Sequence, residues 1–355
     1  MNGSSSKRSW VPLSAGLVAA TLLLVLGAAS QRVSHAAETR LGALPPLQQN
    51  QRCEECHAEI SREWRASGHQ LAFERPEFQH ALLREPPGTR AFCSDCHAPE
   101  SVRERERRGL AEAPVSQAAA ELGVACTSCH TEKTTGEDAR RLAASVGRSA
   151  PHAFMGTDGD AACGACHDFS FQGKRASFAM QRTLGEHRAG VKHGAAQEGE
   201  TCVSCHMRRA PGSKHWSHAF PGGRDARFVA SALKVSASRP EPQTLRVVLE
   251  PRDVSHAVPT GDLFRRLNVS VELAEGVKQQ RYLARHFEDA PEGRREVRDD
   301  RVHLTPSVVE FALPGSAASQ RVRWRVTYER VAHVDPKRED EATLDGWSLV
   351  ASGEL

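Results

Sequence analysis

The sequence predicts two architectures in series. An α-helical and loop-built N-terminal domain with little regular structure, organised around bound prosthetic groups, precedes an all-β, sandwich-like C-terminal domain. Three observations carry this expectation. All ten cysteines lie between residues 53 and 206 in one recurring pattern, aromatic residues make up only 5% of the chain, and period-two apolar alternation begins only after the cysteines stop.

At 355 residues the chain exceeds the roughly 100 to 200 that one hydrophobic core usually spans, so two domains are expected. A net charge of +3 from 47 basic and 44 acidic residues leaves no electrostatic footprint for nucleic acid, and that class is set aside. Residues 1–30 carry Lys7-Arg8, an apolar run from Val11 to Ala29 and then polar sequence, the order of an export signal peptide. Gly27 and Ala29, or Ala28 and Ser30, suit cleavage, while the length of the run also suits an N-terminal membrane anchor. Both readings put the body of the protein in the periplasm or another extracytoplasmic space. Residues 31–52, polar with a Pro45-Pro46 pair, read as a linker.

The pattern is Cys-x-x-Cys-His, five times over: Cys53/Cys56/His57, Cys93/Cys96/His97, Cys126/Cys129/His130, Cys163/Cys166/His167 and Cys202/Cys205/His206. Two thiols at this spacing reach the two vinyl groups of one haem, and the next residue sets its imidazole under the iron. Five c-type haems are therefore predicted, with the ten cysteines as thioether attachments and the five histidines as proximal iron ligands. A disulfide framework gives no reason for the histidines. Structural zinc needs four ligands where each motif offers three. Four-cysteine iron–sulfur clusters leave two cysteines over. About 31 residues per motif cannot build an ordinary core, so the porphyrins must form much of the interior of residues 53–223.

A protein ligand on the second axial face of an iron favours electron transfer, whereas an open face admits substrate. His69, His152, His218, His256, His193 and His80 are the distal candidates, with His187 and His215 behind them. His69 lies twelve residues after His57 in helical sequence, roughly 18 Å along a helix, whereas trans imidazole nitrogens on one iron are about 4 Å apart. His69 is thus expected to serve another motif's iron. His286, His303 and His333 are expected to be exposed, and Arg103 to Arg108 is expected to be a solvated helix face.

These motifs, together with Glu63-Trp64, Ser67-x-His69, Gly123-Val124, Asp168-Phe169, Gln181-x-Thr183 and Met207, resemble the tetrahaem electron-transfer cytochrome c family of ammonia-oxidising bacteria over residues 50 to 223. The resemblance implies an exported electron carrier with mostly paired-histidine ligation. A fifth motif and residues 224–355 depart from that family. In the extension, Leu245, Val247 and Leu249, Val269, Val271 and Leu273, and Val322, Trp324, Val326 and Tyr328 alternate with polar residues and predict antiparallel strands. The loop Ser255-His256-Ala-Val-Pro259-Thr260-Gly261-Asp262 resembles one in similar haem proteins with such an extension, where a histidine stands before a tight turn, and His256 is expected to reach back to an iron.

The function these readings predict is electron passage between redox partners, either other redox proteins or quinol-linked membrane complexes, without catalysis. The alternative is a multihaem oxidoreductase with one open haem acting on a small nitrogen-oxide-type substrate. No Cys-x-x-Cys-Lys motif occurs, and both tyrosines, Tyr282 and Tyr328, lie in the strand-rich part, which weighs against the alternative.

Overall fold

The computed structural model describes residues 44–110, 113–130, 159–172, 177–273, 276–291, 293–317, 319–335 and 338–355. The expected signal or anchor of residues 1–30, most of the linker and His152 lie outside the described residues. Among the described residues no helix is long and apolar enough to cross a membrane.

Up to residue 231 the chain is built mostly of short helices. They are α1 (Pro46–Cys56), α2 (Ala58–Arg65), α3 (Pro76–Arg84), α4 (Pro87–His97), α5 (Glu100–Arg108), α6 (Gln117–Leu122), α7 (Cys126–His130), α8 (Gly159–His167), α9 (Thr183–Lys192), α10 (Cys202–His206) and α11 (Ala226–Ser231). Every Cys-x-x-Cys-His motif ends or constitutes a helix, or leads directly out of one, and this projects the two thiols to one side a turn apart. Helix α1 replaces the last part of the expected linker. Pro46 stands at its first position, where proline's missing N–H costs nothing, and Asn50 is fully buried. One hairpin interrupts the helices, β1 (Asp168–Gln172) antiparallel to β2 (Ser177–Arg182).

The remainder is rich in β-sheet. Strands β3 (Leu233–Glu241), β4 (Thr244–Pro251) and β9 (Ser307–Ala312) form one sheet in the order β3-β4-β9. The second sheet runs β11-β10-β5-β6, from β11 (Arg338–Glu354), β10 (Val322–Asp335), β5 (Arg265–Leu273) and β6 (Lys278–Leu283). A hairpin, β7 (Arg285–Ala290) with β8 (Gly293–Asp299), stands beside them. All three expected runs are strands, in β4, β5 and β10. Leu245, Val247, Leu249 and Phe311 of the first sheet and Leu267, Val269, Val271, Val322 and Val326 of the second are essentially sealed from solvent in one cluster. Fully burying each such side chain contributes about 1.5–3 kcal/mol, so this part folds on an ordinary apolar core while the helical part does not.

Apolar packing in the helical part is local. Trp64, Leu122 and Ala125 form a small cluster, and the Trp64 indole donates to the Val124 carbonyl at 2.8 Å. The Arg103–Arg108 helix face is not wholly solvated. Arg105 is buried and paired with Asp95 at 2.6 Å, and Arg103 donates to the Thr127 carbonyl at 2.6 Å. Apolar residues are too few in this region to surround the helix, so its charges are drawn inward as pairs.

His303 and His333 are exposed, but His286 is not. Its Nδ1 lies 2.7 Å from Glu339 and its Nε2 2.9 Å from Asp300. Burial disfavours the imidazolium, and the two carboxylates outweigh burial, raising its pKa to about 9. A raised folded-state pKa stabilises fully below the ordinary histidine value near 6.5 and loses that contribution as pH climbs through about 9. Thermal melts between pH 6 and pH 10 should therefore show the midpoint falling by several degrees, and His286→Gln should flatten that part of the profile.

Candidate haem-binding site

All ten cysteines are described and none is joined in a disulfide. The motifs are brought together through their thiols: Cys53 lies within hydrogen-bonding reach of Cys126, Cys96 of Cys166, and Cys163 of Cys202. Motif one thus abuts motif three, and motif four touches both motif two and motif five.

The remaining cysteines sit in varied settings. Cys129 is half-buried on α7, and the half-buried Cys205 on α10 has its Sγ 3.8 Å from the Ser204 hydroxyl. Cys56 is exposed, and burial pushes the Cys93 thiol up. In motifs three and five the first cysteine opens the helix and meets the neighbouring motif.

Two of these junctions are built alike. The Asn50 side chain, three residues before Cys53, accepts from the Cys126 backbone N–H at 2.9 Å. The Asp160 side chain, three residues before Cys163, accepts from the Cys202 N–H at 2.7 Å. In both cases an Asx side chain one helical turn ahead of a motif satisfies the first free amide of the partner motif's helix, which fixes the two helices end to side. A one-dimensional search for repeats misses this, because the intervals between motifs differ and only the spatial partners match.

The histidines fall into three close pairs. His69 and His167 have ring centroids 6.2 Å apart, His130 and His218 6.2 Å, and His206 and His256 6.3 Å. Two metal–nitrogen bonds of about 2 Å and two ring radii of about 1.2 Å put trans imidazoles on one metal roughly 6.4 Å apart, close to the spacing of each pair. His69, from motif one's side of the chain, stands opposite the motif-four histidine. His256, from the loop between β4 and β5, stands opposite the motif-five histidine.

Hydrogen bonding orients these rings. His97 Nδ1 lies 2.8 Å from the Ala72 carbonyl, His206 Nδ1 2.8 Å from that of Pro221, His218 Nδ1 2.8 Å from that of Trp216, and His256 Nδ1 3.0 Å from that of Ala257. His167 Nδ1 lies 3.3 Å from the Gln181 side-chain oxygen. A carbonyl oxygen only accepts, so the proton is assigned to Nδ1 and Nε2 keeps its lone pair, as a metal ligand must. Burial, with repulsion from His167, His206, His218 and His97, lowers the pKa of His69 to about 4. Burial likewise holds His97, His167, His218 and His256 below the ordinary value, so these rings are neutral at neutral pH.

The other candidates are placed differently. His80 on α3 and His193 after α9 are exposed and belong to none of the three pairs. Both ring nitrogens of His187 face protein oxygens, Ser255 at 2.6 Å and Asp160 at 3.5 Å, as do those of His215, with Ser213 at 3.2 Å and Glu63 at 3.4 Å. His57 is exposed, and His97 is stacked flat on Phe78 at 3.7 Å.

Residues that sequence reasoning passed over hold this arrangement. Glu63 accepts from the His218 backbone N–H at 2.7 Å. Glu100, 1% exposed, accepts from Thr127 at 2.7 Å and Ser128 at 3.3 Å, and pairs with Arg103 at 3.3 Å, gripping the helix of motif three. Gly123, at φ +55°, lies so close under the His69 and Gln70 carbonyls that a Cβ would strike both. Phe220 stands edge-on between His69 at 4.3 Å and His218 at 5.6 Å.

Residues 52–131, which span the first three motifs, match the family model described as cytochrome c554 and c-prime. The match supports a c-type cytochrome. Covalently bound haem follows from it for this cytochrome, and the reduced thiols and neutral imidazoles suit that chemistry. Neither the comparison with curated proteins nor that with solved structures gave a match.

Replacing Glu100 with Ala removes the carboxylate that accepts from the buried Thr127 hydroxyl, and loss of such a charge-assisted hydrogen bond typically costs about 1–3 kcal/mol. A thermal melt followed at the haem absorbance should show a markedly lower midpoint for Glu100→Ala and a smaller drop for Glu100→Gln.

Proposed function

We propose that this c-type cytochrome is an exported pentahaem electron carrier, holding its haems at the five Cys-x-x-Cys-His motifs and mostly between paired histidines. All ten cysteines serve as thioether attachments, Cys129 and Cys205 included. Haem bound at these motifs supplies a one-electron iron couple. His57, His97, His130, His167 and His206 act as proximal ligands, with His218 opposite His130, His69 opposite His167 and His256 opposite His206. The single observation that carries this is the set of three imidazole pairs at 6.2–6.3 Å. Bis-histidine ligation saturates the metal and suits electron transfer over substrate chemistry.

The neighbouring thiols support two groups of adjacent motifs, one beside three, and two beside four beside five. Residues 53–223 form the cytochrome domain, and residues 224–355 form a sandwich-like domain that lends it one axial ligand. The N-terminal segment directs export or anchors the chain to a membrane, and partners are other redox proteins or quinol-linked membrane complexes.

Electron paramagnetic resonance of the oxidised protein tests this reading. Intact mass should carry five haem additions, and low-spin ferric signals should dominate. A substantial high-spin signal that shifts with added nitrite would instead favour an oxidoreductase with an open haem. In His256→Ala one low-spin signal should be replaced by a high-spin one while the haem count stays at five.

A further inference from the structure

His256 is delivered by a loop, and a loop alone does not hold an imidazole to within the few tenths of an ångström that a metal bond tolerates. What holds this loop is one carboxylate. Glu186, on α9, accepts from the Ala257 backbone N–H at 3.2 Å and from the Thr260 hydroxyl at 2.8 Å through the same oxygen. Its other oxygen accepts from Arg301 at 2.6 Å. Arg301 is itself 3% exposed in its side chain, donates to the Pro259 carbonyl at 3.0 Å, and is braced by Asp299 at 2.8 and 2.9 Å. Ala257, Pro259 and Thr260 are thereby all tied to the Glu186–Arg301 pair, directly beside His256. The helix that carries Glu186 also closes on the loop from below. A Cβ on Gly190 would strike the Ser255 carbonyl, and the Thr183 hydroxyl meets that of Thr260 at 2.9 Å.

We propose that Glu186 is a positioning residue for the fifth haem. By holding Ala257 and Thr260, with Arg301 fixing its other oxygen, it sets the His256 imidazole opposite His206 and so determines the ligand field at that iron. This rests on the reading that His256 is that iron's second axial ligand. A buried ion pair contributes little net stability compared with an apolar replacement, because desolvating both charges offsets their attraction. What the pair supplies here is direction, since it aims fixed acceptors and donors at three successive points of one loop. Residues beyond a metal's own ligands commonly change its properties about 10- to 100-fold in affinity or activity when lost.

The experiment uses the full-length holo-cytochrome in five forms: wild type, His256→Ala, Glu186→Ala, Glu186→Gln and Thr260→Val. Each is read by haem mass, by the ferric low-spin and high-spin signals, and by redox titration. Glu329→Gln serves as a control, because Glu329 pairs with Arg266 at 2.7 Å inside the strand-rich core and touches no part of the loop. Glu186→Ala should perturb the same low-spin signal that His256→Ala abolishes and shift one reduction potential, with five haems retained. Glu186→Gln, which keeps an acceptor, should restore most of that signal, and Thr260→Val should move it less than Glu186→Ala does. The control should lower the melting midpoint and leave every haem signal in place.

If Glu186→Ala and Thr260→Val both leave the His256-dependent signal untouched, the positioning role is wrong while the ligand assignment stands. The role is equally wrong if they perturb a different haem, or if the control perturbs the signal as strongly. Should His256→Ala itself leave the low-spin signals intact, the ligand assignment fails and the positioning role fails with it.

Discussion

Three motif histidines, His130, His167 and His206, each face a second imidazole at 6.2–6.3 Å, and this pairing is the constraint from which much of the helical part follows. A Cys-x-x-Cys-His motif fixes three attachments within five residues and says nothing about the rest of the chain. The opposite ligand does, because it must arrive from elsewhere. His69 is brought to His167 across nearly a hundred residues of sequence, His218 to His130 across a comparable distance, and His256 to His206 from outside the motif region altogether. Each such crossing closes a long loop whose entropy cost grows slowly with length. A metal bond at the closure is well suited to offset it, as binding to a site absent from the unfolded chain adds directly to folding. A region whose apolar packing is as local as the Trp64 cluster can be ordered on that basis.

The polar groups around the motifs have a common task. Asn50 and Asp160 take the leading amides of partner motifs, Glu100 holds the hydroxyls of motif three, Glu63 holds the His218 backbone, and five oxygens hold imidazole Nδ1 atoms. Each is a short, directional contact that fixes an orientation. Porphyrins are flat and smooth, and the dispersion contacts they offer are individually weak and lack direction. Hydrogen bonds of fixed geometry supply the orientation that contact with a ring face cannot.

The parts that were legible in sequence were those with local spacing. The five motifs repeat within five residues, and the alternation of Leu245, Val247 and Leu249 marks a strand because strand sides alternate at every residue. That His69 lies beside a distant motif's histidine and not its own was also legible, from the length of helical sequence between it and His57. Which thiols meet across motifs was not legible: Cys126 and Cys129 stand in the same motif, and only the position of motif one beside Cys126 tells them apart. The residues that hold the loops were hidden too. Glu186, Arg301 and Glu100 look like any other charges among a composition of 26% charged residues, and only the pairing of distant segments reveals their partners. His286 was misjudged for the same reason: its burial depends on Glu339 and Asp300, which come from other segments of the chain. Arg105 of α5 turned inward to pair with Asp95 because the segment has little apolar surface to bury in its place.

The junction between the two parts is ionic, and its composition bears on what the strand-rich part does for the other. Arg182 pairs with Glu296 and Asp299 at 2.9 and 2.6 Å, Arg285 reaches the Met180 carbonyl at 3.1 Å, and Arg224 pairs with Glu77 at 3.0 Å. Arg182 closes the hairpin strand on which Gln181 holds His167, and Glu186 lies in the first turn of the next helix. The same short stretch therefore touches the proximal ligand of motif four, the loop of His256 and the hairpin β7–β8. An apolar interface between these parts would bind them as firmly but would tolerate sliding, since dispersion and hydrophobic contacts are non-directional. Charge pairs at these positions favour one register, because a shift of one residue would separate each arginine from its carboxylate. Arg182 and the Glu186–Arg301 pair thus hold the strand that carries Gln181 and the loop that carries His256 in register with each other.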